Sequence, residues 1–292
     1  MAESPAHRFG QIIGEVLEAA VTPVLKSLAK KYNLYLDMRG SRPCREGIKC
    51  SWRDLNGNTH DLDFVLERGG TAKQRGVPAA FIETAWRRYT KHSRNKAQEI
   101  QGAIKPLVET YRNAGPFIGV ILAGVFTEGA LAQLRSLGFK VLYFHYNSVV
   151  AAFKKHGIDA AFDESTPDED FQTKVESYEK LSDSGRKALA KSLINAHKAD
   201  IKEFTDALVS VVSRQIERII VLPLHGVPQV IETILEAIHF VEGYVDAKAS
   251  QYPLERYEIC IKYNNDNTIE GKFGDKASAV EFLKSYLPPS AV

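Results

Sequence analysis

Cysteine is scarce in this sequence. Its 292 residues include three cysteines, Cys44, Cys50 and Cys260. The odd number and irregular spacing argue against a disulfide framework, and no two of them have the CxxC spacing of a structural zinc site. We therefore expect a reducing, cytoplasmic compartment for the protein.

Long apolar runs, a targeting segment and an excess charge are also lacking. No apolar stretch approaches the roughly 20 residues of a membrane-spanning helix, so no membrane partner is expected. The opening residues MAESPAHRFG show no cationic start followed by an apolar segment, so no signal peptide is predicted. The net charge is +2, so binding to a polyanion would need a local basic patch.

Glycine-rich phosphate loops are absent too. The segments ERGG and LAGVFTEG match neither GxGxxG nor GxxxxGK[ST]. Predicted parallel strands leave open an α/β enzyme that acts on a small phosphorylated substrate. The missing glycine-rich loop argues against this alternative.

Hydrophobic periodicity is what the sequence does have, and it predicts an α/β fold. A helical pattern covers residues 10–36, with a break or kink expected at Pro23. Three strands in a meander are predicted next, in GIKCSW, HDLDFVLE and GVPAAFIETAWRRY. The turn Asn56-Gly57 favours a hairpin between the first two strands.

A second helix is predicted to begin with Ser93 as its N-cap and to stop at Gly115. The apolar runs FIGVILAGVF and KVLYFHY, with a helix between them, predict two parallel strands joined by a crossover. A polar break gives a division into a core of residues 1–165 and a mostly helical and α+β region of residues 166–292.

Two carboxylates fall inside otherwise apolar strands. Asp63 lies in the second strand of the meander and Glu83 in the third, and Asp61 is a weaker candidate on the Asp63 face. Burying an acid among apolar neighbours is costly unless it binds something. Adjacent strands can bring two carboxylates onto one Mg²⁺ ion, which prefers oxygen ligands.

A cluster of cations follows the second acid. Such cations can contact phosphates, and the aromatic residues Trp86, Tyr89 and His92 between them can stack or pack. A solvated charged turn is the plainer interpretation. The candidate phosphate-binding residues are Arg87, Arg88, Lys91, Arg94 and Lys96.

These residues resemble the PD-(D/E)xK nuclease superfamily, which includes most type II restriction endonucleases. The predicted order of helix, three-strand meander, helix and strand matches the restriction-endonuclease-like core. The resemblance implies that Asp63 in DLDFV is the motif aspartate and Glu83 in FIETA the motif glutamate, both ligands of Mg²⁺. It says little about the region after residue 165.

The chain departs from the family motif at the lysine two residues after Glu83, where it has Ala85. Lys91 is the first candidate replacement, because it would continue the Glu83 face if the strand ran on. Lys96 and Lys49 are others, and Glu99 is a candidate relocated acid, so the predicted catalytic set is Asp63, Glu83, Lys91 and Glu99.

The resemblance implies a Mg²⁺-dependent endonuclease acting on double-stranded DNA, most simply a type II restriction enzyme working as a homodimer. One alternative is a repair or defence nuclease that reads structure rather than sequence. Another is a non-catalytic DNA-binding protein on a nuclease-like fold, which Ala85 favours. Asn can read adenine, so base-reading candidates beyond the core are His225, Asn264, Asn265 and Asn267; turn positions are their plainer interpretation.

Overall fold

The protein is described by a computed structural model that covers residues 4–245 and 252–287. Its fold is mixed α/β, as predicted, and the chain forms two compact units. The first unit takes in Met1–Thr110 and Pro116–Val209, and the second takes in Tyr111–Gly115 and Ser210–Val292.

The first unit begins with a helix and five strands, continues with alternating helices and strands, and ends in a run of helices. In chain order its elements are α1 Pro5–Lys31, β1 Leu34–Met38, β2 Cys50–Arg53, β3 Thr59–Leu62, β4 Phe64–Arg68, β5 Val77–Arg87, α2 Thr90–Thr110, β6 Phe117–Gly124, α3 Glu128–Ser136, β7 Lys140–His145, α4 Tyr146–Lys154, α5 Asp168–Glu179, α6 Asp183–Ala196 and α7 Lys198–Val212, whose last residues belong to the second unit.

A mixed five-stranded sheet of order β1-β4-β5-β6-β7 organises this unit. Strands β1, β4 and β5 are antiparallel, whereas β5, β6 and β7 are parallel. All eight residues of β6 are buried, as its continuous apolar sequence predicts for a central parallel strand. The predicted parallel crossover between β6 and β7 is confirmed.

The first strand of the meander is β1, which the sequence analysis missed. The predicted first strand, GIKCSW, contains β2, which pairs with β3 in a separate two-stranded sheet, with Cys50 opposite Leu62. Helical spacing seemed to run through to Leu36, but Asn33 takes a positive φ of 52° and turns the chain out of α1. Asparagine adopts this left-handed conformation more readily than most residues.

Helix α1 runs unbroken through Pro23, so the expected break does not occur. Its N-terminus is capped by Ser4, whose side chain accepts a hydrogen bond from the backbone N–H of His7. One apolar face is buried, and α5 and α6 pack against the helix. The first unit therefore includes helices that lie beyond the predicted division at residue 165.

Helix α2 begins at Thr90, so the N-cap predicted at Ser93 is wrong. Ser93 is buried inside the first turn, where its hydroxyl donates to the Thr90 carbonyl at 2.8 Å. The helix ends at Thr110, and Gly115 follows with a φ of +48°, which suits glycine.

In its described residues, the second unit is an antiparallel sheet with two helices of its own. Strand order is β11-β10-β8-β9, and every second residue of β10 is buried, as a sheet covered on one face requires. The predicted hairpin between the last two strands is confirmed, whereas the predicted helix over VPQVIETILEAIHFVEGY begins with a strand. The elements are β8 Ile216–Pro223, β9 Gln229–Ile231, α8 Ile234–Gly243, β10 Tyr257–Tyr263, β11 Thr268–Phe273 and α9 Lys276–Lys284.

Candidate functional site

Asp63 lies at a bend between β3 and β4, not in the middle of a strand as predicted. At this bend the chain leaves the two-stranded sheet and enters the five-stranded one. The Asp63 carboxylate accepts two hydrogen bonds through Oδ2, from the backbone N–H and from the hydroxyl of Thr84, each at 2.7 Å. Strand β5 therefore fixes the position of this acid.

Glu83 points into the interior from β5. It is 8% exposed, and its Oε1 atom is buried without a hydrogen-bond partner among the residues that the structure describes. Burial raises the pKa of this carboxyl well above its usual range, and the negative charge of Asp63 raises it further. Lys96 and the backbone N–H of Asp63 act in the opposite direction. A buried carboxylate oxygen without a hydrogen-bond partner is rare in proteins, and a bound water molecule or ion would supply one.

Glu18 is a third acid at this place, and the sequence analysis missed it. It lies on α1, where an acid off the apolar face looks like an ordinary exposed helix residue. Burial first, and the charge of Asp63 second, raise its pKa from 4.5 to about 7. We call Glu18, Asp63 and Glu83 the acid cluster.

Two cations act on the acid cluster, Arg39 on Glu18 and Lys96 on Glu83. Lys96 extends from α2 and lines the same groove as Asp63. Its ammonium lies 3.3 Å from Oε2 of Glu99, and Arg87 reaches the same oxygen at 3.9 Å. Glu99 is thus placed as an ion-pair partner of two groove cations.

Lys91 does not continue the strand that carries Glu83. Strand β5 ends at Arg87, and Lys91 is the second residue of α2. Its ammonium lies 3.6 Å from a carboxylate oxygen of Glu164, and both side chains are largely exposed. The geometric reason for choosing Lys91 as the replacement lysine therefore disappears.

Two further candidates, Lys49 just before β2 and Asp61 on β3, form an ion pair with each other. Lys49 lies 2.7 Å from Oδ2 of Asp61, and Ser51 donates to Oδ1 of Asp61 at 2.6 Å. The hydrogen bond from Lys49, followed by that from Ser51, lowers the pKa of Asp61. This exposed pair belongs to the β2–β3 hairpin, since the bend at Asp63 interrupts the alternation that placed Asp61 beside it.

A groove of about 630 Å³ opens beside the acid cluster. Three predicted phosphate-binding cations, Arg87, Arg88 and Lys96, line it, whereas Lys91 and Arg94 lie on the exposed side of α2 and are not part of its lining. The other walls come from the first half of α1, from the end of β5 and from residues 162–171.

Arg88 is held by its neighbours. Its Nε donates to the carbonyl of Phe162 at 2.8 Å, and its guanidinium lies 4.1 Å from the centroid of the Tyr146 ring. A guanidinium engaged in this way contributes its charge to the groove but is not free to reorient. This contact joins the end of β5 to the segment that begins at Phe162.

The fit of a metal ion rests on two carboxylates. In residues 4–245 and 252–287 no group of three or more His, Cys, Asp or Glu side chains is close enough to enclose a metal ion. Mg²⁺ keeps several waters and is often bound through one or two carboxylates, so Asp63 and Glu83 suit it, whereas zinc in a closed site does not fit. The unpartnered Oε1 of Glu83 is the atom that such an ion would satisfy.

A second buried group of charges occupies the other end of the meander, and the sequence analysis did not single it out. Arg42, 3% exposed, lies between Asp37 and Glu67: Nη1 is 2.8 Å from Oδ2 of Asp37, and Nη2 is 3.0 Å from Oε2 of Glu67. Arg45 also binds Asp37. We call Asp37, Arg42, Arg45 and Glu67 the arginine cluster.

The arginine cluster closes the glycine-rich bend between β4 and β5. Arg42 donates to the carbonyls of Thr71 and Gln74, and the backbone N–H of Gly76 donates to Glu67 at 2.6 Å. Burial alone would raise the pKa of Asp37, but hydrogen bonds from Arg45 and Arg42 outweigh it and lower that pKa. This cluster is a fully paired structural network.

The polar candidates of the second unit are engaged in local contacts. Asn264 Oδ1 accepts from the backbone of Gln215, Asn265 donates to the carbonyl of Ser210, and His225 Nδ1 contacts the carbonyl of Pro253. The backbone N–H of Asn267 donates to Asn265. These contacts are those of turn residues.

Comparisons with known proteins add little to this geometry. No protein-family model matches the chain, and no curated protein matches it. A solved structure, that of AF1548, a protein of unknown function, is similar over 66% of this chain and 97% of its own, with 10% sequence identity and a TM-score of 0.26. A score this low transfers neither fold nor function. Within the described ranges, no helix is both long and apolar enough to cross a membrane.

Proposed function

We propose that the protein is a Mg²⁺-dependent endonuclease that hydrolyses DNA phosphodiesters on a restriction-endonuclease-like core. The observation that carries this proposal is the acid cluster. Glu83 is buried beside a second carboxylate with one oxygen unpartnered, which costs stability unless a cation binds there. The cluster borders a groove whose lining includes three cations.

The order of elements supports the proposed core. Helix α1, the antiparallel strands β1, β4 and β5, helix α2 and the parallel strand β6 follow one another in the order that the sequence resemblance implies. The β2–β3 hairpin is an insertion into this series. Both proposed metal ligands lie where the second and third strands of the meander meet.

The ligands of the Mg²⁺ ion would be Asp63 and Glu83. The bound ion would activate a water molecule and neutralise charge that develops on the phosphate. Thr84 holds Asp63 in place through two hydrogen bonds, and the β-strand backbone holds Glu83. Glu18 adds negative charge from α1, which strengthens attraction for a divalent cation.

Lys96 takes the role of the missing motif lysine in this proposal. The motif position holds Ala85, which is buried and carries no charge. Lys96 comes from the neighbouring helix, and its charge acts on Glu83, so it can stabilise negative charge at the phosphate or orient the attacking water. Arg87 and Arg88 supply positive charge for the DNA backbone.

The finer identity proposed is a type II restriction enzyme that acts as a homodimer and leaves a 3′-hydroxyl and a 5′-phosphate. The test incubates the protein with phage DNA and Mg²⁺ and compares it with Asp63→Ala and Glu83→Ala. Discrete fragments that need Mg²⁺ and vanish in both variants support restriction. Diffuse degradation supports a nuclease that reads structure.

Ala85 favours a second candidate function, a non-catalytic DNA-binding protein. Intact DNA together with a retained gel shift would establish that candidate and overturn the enzyme. A matched pair of variants tests the lysine: Lys96→Met should slow cleavage by about 100-fold, whereas Lys91→Met should change binding to DNA but leave the cleavage rate of bound DNA within about twofold. Equal cleavage rates in the two variants would remove Lys96 from the proposed catalytic set.

A further inference from the structure

An acidic turn forms part of the lining of the groove. Asp163 accepts hydrogen bonds from the backbone and hydroxyl of Ser165, at 2.9 and 2.6 Å, and its own N–H donates to the hydroxyl of Thr166. The hydrogen bonds from Ser165 lower the pKa of Asp163, and the nearby Arg88 contributes as well. We call residues Asp163–Thr166, which also include Glu164, the acidic turn.

The start of this turn is anchored. The Tyr146 hydroxyl accepts from the N–H of Phe162 at 2.9 Å and donates to its carbonyl at 3.2 Å, and Arg88 donates to the same carbonyl. The Phe162 ring packs on Phe9 and Phe171. The turn therefore starts from a fixed point in the core.

The acidic turn places one carboxylate against a cation of α2 that the sequence predicts to bind phosphate, and it lines the proposed DNA groove. Glu164 lies 3.6 Å from the ammonium of Lys91. Asp163, Glu164 and Thr166 line the same groove as Arg88 and Lys96. The Glu164 carboxylate therefore lies beside Lys91, where a phosphate oxygen of bound DNA would lie.

We propose that the acidic turn is an internal competitor of the DNA backbone, and that Glu164 weakens binding by holding Lys91 until a phosphate displaces it. This inference rests on the proposed function, because it takes DNA as the ligand of the groove. It assigns Lys91 to the binding surface and Glu164 to the control of affinity.

The two anchors of the turn differ in strength, and the difference makes the competition possible. The Lys91 and Glu164 side chains are 65% and 71% exposed, so their ion pair is worth less than about 1 kcal/mol and is easily exchanged. The Arg88 contact lies inside a ring of aromatic side chains. DNA can thus replace Glu164 at Lys91 without unfolding the segment at Phe162.

The test measures binding to a fluorescently labelled DNA duplex by anisotropy, with Ca²⁺ in place of Mg²⁺ to prevent cleavage. Glu164→Gln should tighten binding about twofold to fivefold, and Glu164→Lys should tighten it more. Lys91→Met, which removes the proposed phosphate contact, should flatten the slope of log affinity against log salt by about one unit. Glu169→Gln is the matched control: it removes the same charge from an exposed residue that is not part of the groove lining.

The outcomes separate this inference from the proposed function. If the wild type binds DNA and Glu164→Gln binds it with the same affinity as Glu169→Gln, the inference is overturned and the nuclease proposal stands. No binding by the wild type or by any variant, Glu164→Lys included, would overturn both. No wild-type binding but clear binding by Glu164→Gln, which removes the carboxylate without adding a cation, would support the acidic turn as a competitor.

Discussion

The arginine cluster and the acid cluster both hold buried carboxylates, and the first unit treats them in opposite ways. In the arginine cluster, Asp37 and Glu67 are paired with guanidinium groups and backbone donors. In the acid cluster, Glu83 has an oxygen without a partner in the described chain, and burial first and the negative charge of Asp63 second raise its pKa. Both places lie along the same meander, so the backbone does not explain the difference.

The contrast shows how to tell a structural charge from a functional one. A buried ion pair with satisfied hydrogen bonds holds two segments together, and its loss leaves an uncompensated charge. Buried acids that repel one another lower stability, and proteins keep such groups where activity needs them. The acid cluster is therefore the better candidate for a site than the arginine cluster, although the second is the more completely buried.

The largest expected effect comes from breaking the arginine cluster. Arg42→Met leaves Asp37 and Glu67 buried without their central cation, and we expect the free energy of unfolding to fall by about 3–5 kcal/mol. Urea denaturation measures it. The control is Arg94→Met on the exposed face of α2, with a change within about 0.5 kcal/mol. A loss below about 1 kcal/mol for Arg42→Met would mean that the cluster is not a structural network.

Neutralising one acid in each cluster should change stability in opposite directions. Without Mg²⁺ at pH 8, Glu83→Gln removes repulsion with Asp63 and should raise the free energy of unfolding by about 1–2 kcal/mol. Asp37→Asn weakens the bonds to Arg42 and Arg45 and should lower it by about 1–3 kcal/mol. Urea denaturation of both variants in the same buffer measures the two changes in the free energy of unfolding. A loss of stability in both variants would mean that the two clusters do not differ in this way.

Mg²⁺ should stabilise the protein through the acid cluster alone. At ten times its dissociation constant, a ligand that binds only the folded state adds about 1.4 kcal/mol. Thermal melts with and without Mg²⁺ should show this gain in the wild type and none in Glu83→Gln. A gain that survives in Glu83→Gln but disappears in a variant elsewhere would place the cation at another site.

The smallest expected effect is the pH dependence that Glu18 confers. A raised pKa in the folded state means that stability is fully present below the unfolded value of 4.5 and is lost as pH rises through about 7. The shift corresponds to at most about 3 kcal/mol, and partial exposure should reduce it to about 1 kcal/mol.

Glu18→Gln isolates that effect. Between about pH 5 and pH 8, the free energy of unfolding of the wild type should fall relative to this variant when Mg²⁺ is absent. Asp37 has a lowered pKa, so its contribution is present above its unfolded pKa of 3.8 and is lost only as pH falls. Parallel pH profiles of the wild type and Glu18→Gln would show that the pKa of Glu18 is not raised in the folded protein.

Many strands of the two larger sheets could be predicted because they carry strong local sequence patterns. Strand β6 is apolar throughout, β5 is apolar up to its acid, and the last hairpin alternates around an Asn-rich turn. Strand β1 could not be predicted, since it is short, half-buried and at the edge of the sheet, and it follows a helix with similar apolar spacing.

The site was only partly predictable for a different reason. Asp63 and Glu83 stand out because acids are unexpected in apolar strands. Glu18 and Lys96 look like ordinary charged residues of a helix surface, and only the packing of α1 and α2 around the sheet brings them to the strand acids. Arg42 was missed because it lies in a loop, where an arginine carries no sequence signal of burial.

The bend at Asp63 has a consequence for how the protein could vary. The chain leaves the five-stranded sheet after β1, forms the β2–β3 hairpin and rejoins the sheet at β4. Thr84 on β5 holds the Asp63 carboxylate at the point where the chain rejoins. The acid is thus anchored independently of the hairpin before it. Trp52 of the hairpin packs on Phe81, so its strands belong to the core, but the exposed turn at residues 55–58 could be lengthened or shortened while the carboxylate stays in register with Glu83.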